Sequence, residues 1–569
     1  MSNSGDMSII RGFYGPKCWI LSAIVGVLIG LGVVQMLPPA KQIPGHPAAA
    51  GESHVPRVRE TTPSGEEFER LPSGEAVPWA DAGPAEGAAD GAGAASEHAE
   101  HAAPAIPLWL CAPFAALLAS IALMPFINGR FWGKHFPDFA FLLGGAVAAY
   151  YLGALGAYGQ HAVLHAVMEY YAFIALVGGL FVVSGGIHID VSSRATPLAN
   201  TVLLACGAVL ANIVGTTGAS MLLIRPFMRM NAGRLAPIHI VMFIFIVSNC
   251  GGCLTPIGDP PLYLGFLKGV PFEWTMTHLW PMWGACVGML LALFFVIDAA
   301  HGRRLARAAE KPSDPAAPTQ YHREGEGAPV QPPDRAVTIG PVRIAGLPAL
   351  GYLLLMVAGV FIDPLLKSQL GIHGYPIGAT FQVAVAVIAY FTASQDIHDA
   401  NSFDFHPVQE VGFLFIGIFL TMVPALGYLA TNAGKLGLES PTQYYFFTGA
   451  LSAVLDNAPT YLNFLQSALG VLHLPLDAEG IHRFIAHTYD VIHHDGSAVH
   501  FRGQTLLEAI SLGAVFFGAM TYIGNGPNFM VKAISEGAGV KMPSFFSYLG
   551  LACVILLPVL VVNWMIFIR

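Results

Sequence analysis

Long apolar segments without a single charged residue constrain this chain more than any other feature. One runs from Cys18 to Leu37 and another from Phe545 to Ile568, and a helix of about 20 apolar residues matches the hydrocarbon thickness of a bilayer. Only 11% of the residues are charged and 54% are hydrophobic, whereas a soluble protein carries about a quarter charged residues. The chain is therefore predicted to be an all-α polytopic membrane protein whose first partner is the lipid bilayer. No basic patch with interleaved aromatic residues indicates nucleic acid.

Composition divides the chain into five parts. Residues 1–40 form a predicted N-terminal anchor helix. Basic residues precede it as in a signal peptide, but no small-residue cleavage pattern follows, so an uncleaved anchor is favoured over a cleaved signal. Residues 41–105 are rich in Ala, Gly, Glu and Pro and are predicted to be a disordered linker. Two apolar lobes, 106–300 and 341–569, are the predicted transport repeats, and residues 301–340 form a predicted cytoplasmic linker between them.

Each lobe contains five predicted membrane spans and one apolar segment that a polar cluster interrupts. The spans lie at about 106–127, 138–158, 163–187, 238–268, 278–299, 341–363, 376–394, 408–430, 504–530 and 545–568. The interrupted segments are 197–230 and 441–469, and each half is about 15 residues long, too short to cross alone. We interpret both as re-entrant hairpins, the alternative being one long tilted helix each. Because five crossings is an odd number, the lobes are predicted to be inverted repeats.

The distribution of basic residues predicts the orientation. With a cytoplasmic N-terminus, most basic residues that flank the spans lie on the cytoplasmic side, as the positive-inside rule requires. These residues are Arg130, Lys134, Arg194, Arg229, Arg234, Arg303, Arg304, Arg307, Lys532 and Lys541. The opposite side carries chiefly Lys367, Lys435, Arg483 and Arg502. We therefore expect a multi-pass protein of the cell (inner) membrane with its N-terminus in the cytoplasm.

Two pairs of motifs repeat between the lobes. The segment from Val209 to Asn212 aligns with that from Val454 to Asn457, and the segment from Leu254 to Pro261 aligns with that from Met520 to Pro527. The second pair lies within apolar spans, where Gly and Pro should unwind the helix. Unwound backbone at membrane depth is tolerated only where protein or a cavity lines it. Two hairpin tips and two broken helices are therefore predicted to enclose one central site.

The polar side chains of these motifs are the candidate ligands. Hydroxyl, amide and carbonyl oxygens are hard donors suited to sodium, and the free amides of a broken helix could hold a carboxylate. The candidates for ion or substrate binding are Asn212, Thr216, Thr217, Ser248, Asn249, Thr255, Asp259, Asp456, Asn457, Thr460, Thr521 and Asn525. No cofactor is predicted beyond sodium ions and protons as transported or coupling ions.

Two of these candidates are acids at membrane depth, one in each lobe. Asp456 aligns with Ala211, and Asp259 aligns with Asn525. An ionisable group at the bilayer centre indicates function, and a proton and a sodium ion that compete for one carboxylate give the simplest antiport mechanism. Asp456 and Asp259 are therefore the candidate sodium ligands. The alternatives are a structural helix cap for Asp456 and a turn for Asp259.

At these motifs the chain resembles the ion transporter superfamily, which includes NhaD-type sodium/proton antiporters, arsenite-pump subunits, citrate transporters and sodium-coupled dicarboxylate transporters. The resemblance covers both lobes from about Ile106 onward. It implies two hairpins, an elevator-like or rocking mechanism, and often a homodimer. The residues that carry it are Asn212 to Gly218, Ser248 and Asn249, Thr255 to Pro261, Asp456 to Pro459, and Thr521 to Asn525.

The resemblance leaves the transported substrate open. In dicarboxylate members, Ser-Asn-Thr triplets at the hairpin tips grip the substrate, and neither tip of this chain has that triplet. The first hypothesis is therefore a sodium/proton antiporter. The second is an ion-coupled citrate or dicarboxylate carrier, so the expected partners include small inorganic ions or small organic anions. A membrane-embedded enzyme is the third hypothesis, but no nucleophile–base set is apparent.

Other polar groups have competing interpretations. His161, His165 and Glu169 recur at helical spacing and could relay protons or anchor the helix at the interface. Arg225 could pair with Asp259 or an anion, or extend toward the cytoplasmic interface. The cysteines of the Cys250–Cys253 motif are expected to pack closely rather than bind a ligand. The His-rich stretch from His473 to His500 is expected to be a solvated loop.

Overall fold

A computed structural model of the protein describes residues 57–71, 75–79, 104–191, 195–309, 336–339, 342–370, 376–401, 403–492 and 498–569. The predicted anchor helix within residues 1–40 lies outside these ranges. Most of the described chain is helical, and it contains nine helical segments that are long and apolar enough to cross a membrane. The chain is therefore a multi-pass membrane protein, as its composition predicts.

The first lobe contains six helices. They are α1 (Ala112–Ala154), α2 (Gly156–Gly185), α3 (Pro197–Met230), α4 (Pro237–Ile246), α5 (Pro260–Leu267) and α6 (Phe272–Ala309). Helix α1 leaves helical geometry at Asn128. The chain doubles back there, and this reversal brings Ile106 and Leu110 against Tyr150 near the C-terminal end of α1. It therefore supplies the two predicted spans 106–127 and 138–158.

The second lobe follows the same order of long helices with additional short ones. Its helices are α7 (Leu347–Val360), α8 (Ile362–Leu370), α9 (Ile377–Thr392), α10 (Gln395–Ala400), α11 (His406–Asn432), α12 (Pro441–Val454), α13 (Asn457–Val471), α14 (Ala478–Ala486), α15 (Gly503–Phe517), α16 (Gly526–Gly537) and α17 (Phe545–Phe567). Helices α7 and α9, which match two of the predicted spans, are apolar but shorter than the other spans.

Both interrupted segments are helical hairpins. In hairpin 1, formed by α3, the chain turns at Gly215 with φ of 77°, and the side-chain amides of Asn200 and Asn231 exchange two hydrogen bonds of 2.8 Å between the arms. In hairpin 2, formed by α12 and α13, the Tyr444 and Ser467 hydroxyls lie 3.3 Å apart across the arms. These contacts contradict the alternative of one long tilted helix for each segment.

Two helices of the molecule are broken where Gly and Pro predict it. After α4 the chain forms a 3-10 turn at Cys250–Leu254, and α5 begins only after Asp259. After α15 a 3-10 turn at Gly518–Met520 leads to extended backbone, and α16 begins after Asn525. Most residues of α4 and α15 are buried, so the two breaks lie in the centre of the protein and away from lipid.

A buried polar network holds the base of hairpin 1. Asp298 of α6 is fully buried and forms an ion pair with Arg234, and its other oxygen accepts a 2.7 Å hydrogen bond from Asn200. Nε2 of His239 donates to Asp298 at 3.0 Å, because its Nδ1 accepts from the Ala236 amide. The network therefore fastens hairpin 1 to α4 and α6.

Two small antiparallel sheets lie outside the helices. The strands are β1 (Arg57–Thr61), β2 (Glu67–Arg70), β3 (Ala76–Pro78), β4 (His188–Val191), β5 (Ala336–Ile339), β6 (Val342–Ala345), β7 (Thr488–Ile492) and β8 (Ala498–Arg502). One sheet has the order β3-β2-β1-β7-β8 and the other β4-β6-β5. The all-α prediction left both sheets out.

The five-stranded sheet corrects two predictions. The linker at 41–105 was predicted to be disordered, yet its residues 57–61, 67–70 and 76–78 are strands. The His-rich stretch predicted as a solvated loop contributes β7 and β8. Composition averages over a whole segment and cannot detect that β1 pairs with β7, a strand more than 400 residues away.

The five-stranded sheet is held by buried charges. Arg70 and Glu60 form an ion pair of 2.5 Å with almost no exposure, and His487 also contacts Glu60. Burial lowers the pKa of His473, which follows α13, to about 4, and the charge of Arg70 acts in the same direction. The sheet therefore packs near the base of hairpin 2.

The two sheets lie toward opposite ends of α2. At the end of α2, Gly186 packs directly on Gly346 beside β6, and this side of the protein is the three-strand face. In the first half of α2, Glu169 contacts Lys268, and the adjoining Gly269 packs on Ala478 at the start of α14. That side is the five-strand face. At 1.5 Å per residue, the contacts at Glu169 and at Gly186 lie roughly 25 Å apart along α2.

Candidate functional site

The hairpin tips and the broken helices meet at one carboxylate. Asp259, at the break between α4 and α5, is fully buried. Its Oδ1 accepts hydrogen bonds from the Thr216 hydroxyl at 2.8 Å and from the Asn525 amide at 2.9 Å. Its Oδ2 accepts from the Asn457 amide at 2.6 Å. Hairpin 1, hairpin 2 and the second broken helix therefore each donate one hydrogen bond to Asp259.

A second layer of amides connects the two breaks. The Asn525 amide lies 3.2 Å from Oδ1 of Asn249, and Asn249 donates to Oδ1 of Asn528 at 2.7 Å. Asn528 in turn donates to the carbonyls of Gly518 and Thr521 at 2.8 and 2.9 Å. Asn528 is not among the candidate ligands predicted from the motifs, although its position three residues after Asn525 places it on the same side of α16.

Each broken helix is fastened to the neighbouring hairpin by an equivalent threonine. Thr255 donates to the Asn212 carbonyl at 2.6 Å, and Thr521 donates to the Ala453 carbonyl at 2.5 Å. Each hydroxyl also accepts from the amide of the glycine three residues later, Gly258 or Gly524. The two breaks are therefore built in the same way.

These contacts correct the predicted alignment of the hairpins. Because Thr255 and Thr521 bind equivalent carbonyls, Asn212 corresponds to Ala453 and not to Asn457. Four residues later, Thr216 corresponds to Asn457, and both donate to Asp259. The sequence match was wrong by about one helical turn. Asp456 thus corresponds to Gly215, and both residues lie at the hairpin turn.

Asp456 has a different environment from Asp259. It is half-buried, its Oδ1 accepts from the Ala458 amide at 3.0 Å, and its carbonyl accepts from the Thr460 hydroxyl at 2.9 Å. It therefore caps α13, which is the structural alternative considered for it. Asp456 nevertheless immediately precedes Asn457, whose side-chain amide donates to Asp259.

The remaining candidate residues surround this centre. The Asn212 side chain donates to the Gly251 carbonyl at 2.6 Å and accepts from the Leu254 amide at 2.7 Å, so it holds the 3-10 turn. The Ser248 hydroxyl lies 2.7 Å from that of Ser220. Thr217 lines a cavity of about 20 Å³ beside Asp259, which has room for about one water molecule.

Neither a basic side chain nor a metal-binding cluster accompanies Asp259 within the described ranges. Asp259 forms no ion pair there, and Arg225 lines a separate cavity with Ser184 and Phe403. No group of three or more His, Cys, Asp or Glu side chains in the described residues could hold a metal ion. A cation at Asp259 would therefore be bound mainly by amide, hydroxyl and carbonyl oxygens.

Close packing explains the small residues around the break. Cys250 and Cys253 are buried thiols without a disulfide, and a Cβ added to Gly252 would lie 2.5 Å from the Thr216 side chain. This arrangement confirms the packing interpretation of the Cys-Gly-Gly-Cys motif.

We expect Gly258→Ala to disrupt the break and destabilise the protein. Its Cβ would lie 2.1 Å from the Gly252 carbonyl oxygen. This oxygen belongs to buried backbone, which cannot move aside as the end of a flexible side chain could. Overpacking usually costs about 1–3 kcal/mol, and we expect a value at or above the upper end. The midpoint of thermal unfolding in detergent measures the change. The control is Gly526→Ala, where an added Cβ meets no atom within 4 Å. An equal midpoint for the two variants would contradict this packing.

Comparison with known protein families identifies the family of the chain. No curated protein matches the chain. The model of the family CitMHS_2, described as "Putative citrate transport", matches residues 103–568, which include both lobes. This match confirms the resemblance to the ion transporter superfamily and supports a transporter over a membrane-embedded enzyme. The chain therefore belongs to the CitMHS_2 family of citrate transporter-like membrane proteins and is a secondary transporter.

Proposed function

We propose that this protein is a cation/proton antiporter, with sodium as the first candidate, in which Asp259 binds a cation and a proton in alternation. The observation that carries the proposal is the environment of Asp259. Its carboxylate is fully buried, and its hydrogen-bond donors among the described residues are the neutral side chains of Thr216, Asn457 and Asn525. A buried carboxylate needs a compensating positive charge. A proton or a metal cation can supply that charge where no Lys or Arg does.

The oxygens around Asp259 suit a hard cation. Oδ1 of Asn457 is buried and has no hydrogen-bond partner among the described residues, although its amide nitrogen binds Asp259. A buried acceptor without a donor is costly, and a cation bound by Asp259 would also satisfy this oxygen. We infer that Asn457 and Asp259 are sodium ligands. Asp456 adds negative charge nearby but is the second candidate, because its carboxylate already caps α13.

The layout of the lobes supports the proposal that they are inverted repeats. The first lobe begins beside Gly427 and Tyr150, near the start of α2. The second lobe begins at Gly346, near the end of α2. The hairpin bases also differ in position, because Arg229 near the base of hairpin 1 contacts Ile189 of β4, whereas hairpin 2 leads to α14 on the five-strand face. Opposed hairpins around one site are the arrangement that alternating access uses.

The orientation in the membrane follows from the same faces. Arg229 and Arg234 lie beside the three-strand face, and Arg303, Arg304 and Arg307 lie in the last turns of α6. By the positive-inside rule we assign the three-strand face to the cytoplasm of an inner membrane and the five-strand face to the outside. A cytoplasmic N-terminus and a homodimer remain predictions.

A citrate or dicarboxylate carrier coupled to a cation is the second candidate function. The family is described as putative citrate transport, but Pro260 and Pro261 have no N–H groups, so the start of α5 offers no free amides there to receive a carboxylate. Against it, the site contains one buried acid, and the described residues place no basic side chain beside that acid.

Transport by the purified protein in liposomes with a trapped pH indicator distinguishes the two functions. For an antiporter, external sodium should raise the internal pH in the absence of any organic anion, and lithium and potassium arms identify the preferred cation. Protein-free liposomes provide the control. A pH change that requires citrate or another di- or tricarboxylate would contradict antiport and support the carrier.

A further inference from the structure

Helix α5 connects the carboxylate site to the five-strand face. Asp259 immediately precedes this helix and Lys268 immediately follows it. The helix has eight residues, so at 1.5 Å per residue it spans roughly 12 Å. It is short enough to act as one rigid piece, and a displacement at Lys268 would move Asp259 relative to its three donors.

An ion pair fixes the far end of α5 to α2. Nζ of Lys268 lies 2.5 Å from Oε1 of Glu169, and the two side chains are 10% and 14% exposed. His165, one turn earlier on α2, lies 3.4 Å from the same oxygen. Removing one partner of such a pair leaves the other charge buried and uncompensated. The pair therefore holds α5 against α2 strongly.

Tyr263 makes a second contact between the same two helices. Its hydroxyl donates to the Ala172 carbonyl at 3.3 Å, and its ring packs against that of Phe173 with centroids 6.4 Å apart. Tyr263 lines the small cavity beside Asp259 and also a much larger one on its other side. The side chain thus separates the two spaces.

The larger cavity opens at the five-strand face and has a volume of about 980 Å³. It could hold many water molecules, since one occupies about 30 Å³ in the liquid. The charged or titratable residues that line it within the described ranges are His165, Glu169, Tyr263, Lys268, Glu273, Asp363 and Asp477. Acids outnumber bases among these described residues, so this lining favours cations over organic anions.

We propose that Glu169, Lys268 and Tyr263 form the gate between this cavity and Asp259. The ion pair and Tyr263 hold α5 against α2 when the passage is closed. A cation reaches Asp259 when α5 moves away from α2. Glu169 and Lys268 are positioning residues that act through α5, and this role rests on the proposed transport at Asp259.

Charge-swap variants in the liposome assay test the gate. Glu169→Gln and Lys268→Met each leave one charge unpaired, so α5 no longer closes firmly against α2 and Asp259 is displaced from its three donors. Because alternating access needs the closed state as well as the open one, we expect each variant to lower the initial rate of sodium-driven proton flux about tenfold or more. Both should also shift the midpoint of the pH profile, because Asp259 loses its fixed position. The double variant Glu169→Lys/Lys268→Glu restores the pair with its sign reversed and should recover most of the rate, as should Lys268→Arg. The control is Lys532→Met, which removes an exposed pair with Glu536 within α16 and should keep the rate and the midpoint.

The outcomes separate the gate from the proposed function. Wild-type rates and pH midpoints in both single variants would overturn the gate. So would lowered rates without a shift in midpoint, which indicate a purely structural role. Recovery by Lys268→Arg but not by the swap would also overturn it, because Lys268 would then act by its own charge on the transported ion. The proposed function is tested separately by Asp259→Asn. If that variant retained sodium-driven proton flux, the proposed function would be contradicted, whatever the results for the gate variants.

Discussion

Asp259→Asn is expected to reduce sodium-driven proton flux in liposomes to the level of protein-free liposomes. The asparagine keeps the size of the side chain and one acceptor for the Thr216 and Asn525 donors, so the site should still assemble. It removes the charge that holds the proton or the cation. Flux from the trapped pH indicator, normalised to the amount of folded protein, measures the loss. A normal elution profile on size-exclusion chromatography confirms folding.

Asp456→Asn is the matched comparison for this prediction. Asparagine caps helices about as well as aspartate, so α13 should keep its start, and only the charge near Asp259 changes. We expect this variant to retain flux with an altered pH dependence. Undiminished flux in Asp259→Asn would contradict the role that we assign to Asp259. An active Asp259 variant together with an inactive Asp456 variant would transfer that role to Asp456.

Asp298→Asn is expected to cause the largest loss of stability. Asp298 is fully buried with Arg234 and His239 as partners, and its loss leaves the arginine charge uncompensated at the base of hairpin 1. Breaking a buried ion pair typically costs about 3–5 kcal/mol. The midpoint of thermal unfolding in detergent should therefore fall markedly relative to the wild type.

The control for Asp298 is an exposed pair on the same face. Asp190 of β4 lies 3.6 Å from Arg229, and both side chains are nearly half exposed. Exposed pairs contribute at most about 1 kcal/mol, so Asp190→Asn should leave the midpoint almost unchanged. Equal midpoints for the Asp298 and Asp190 variants would show that the network does not anchor hairpin 1.

The sequence predicts the helical architecture and both breaks because membrane spans obey a simple constraint. About 20 apolar residues are needed to cross, so the polar cluster in each interrupted segment indicates a turn. Gly and Pro at Gly258 to Pro261 and at Gly524 to Pro527 indicate where the helices unwind. Both features are local, and the structure places both as expected.

Register and long-range pairing could not be predicted in the same way. The alignment of Asn212 with Asn457 matches identical residues in the two motifs. A shift of the alignment by one helical turn keeps the same apolar face, so the sequence pattern does not distinguish the two alignments. The contacts of Thr255 and Thr521 in the structure reveal the shift. The pair Glu169–Lys268 joins two helices about 100 residues apart. The sequence around either residue gives no indication that the other is its ion-pair partner. The same reason explains the missed strand pairing of β1 with β7.

The five-stranded sheet makes the two lobes mechanically unequal. Hairpin 1 is anchored within the membrane-embedded bundle by Asp298, whereas hairpin 2 continues through α14 into β7, which is hydrogen-bonded to β1 from the opposite end of the chain. Any movement of hairpin 2 must carry the five-stranded sheet with it or bend the segment that connects them. The two hairpins would then differ in how freely they move, because the N-terminal strands add viscous drag and a covalent restraint to hairpin 2.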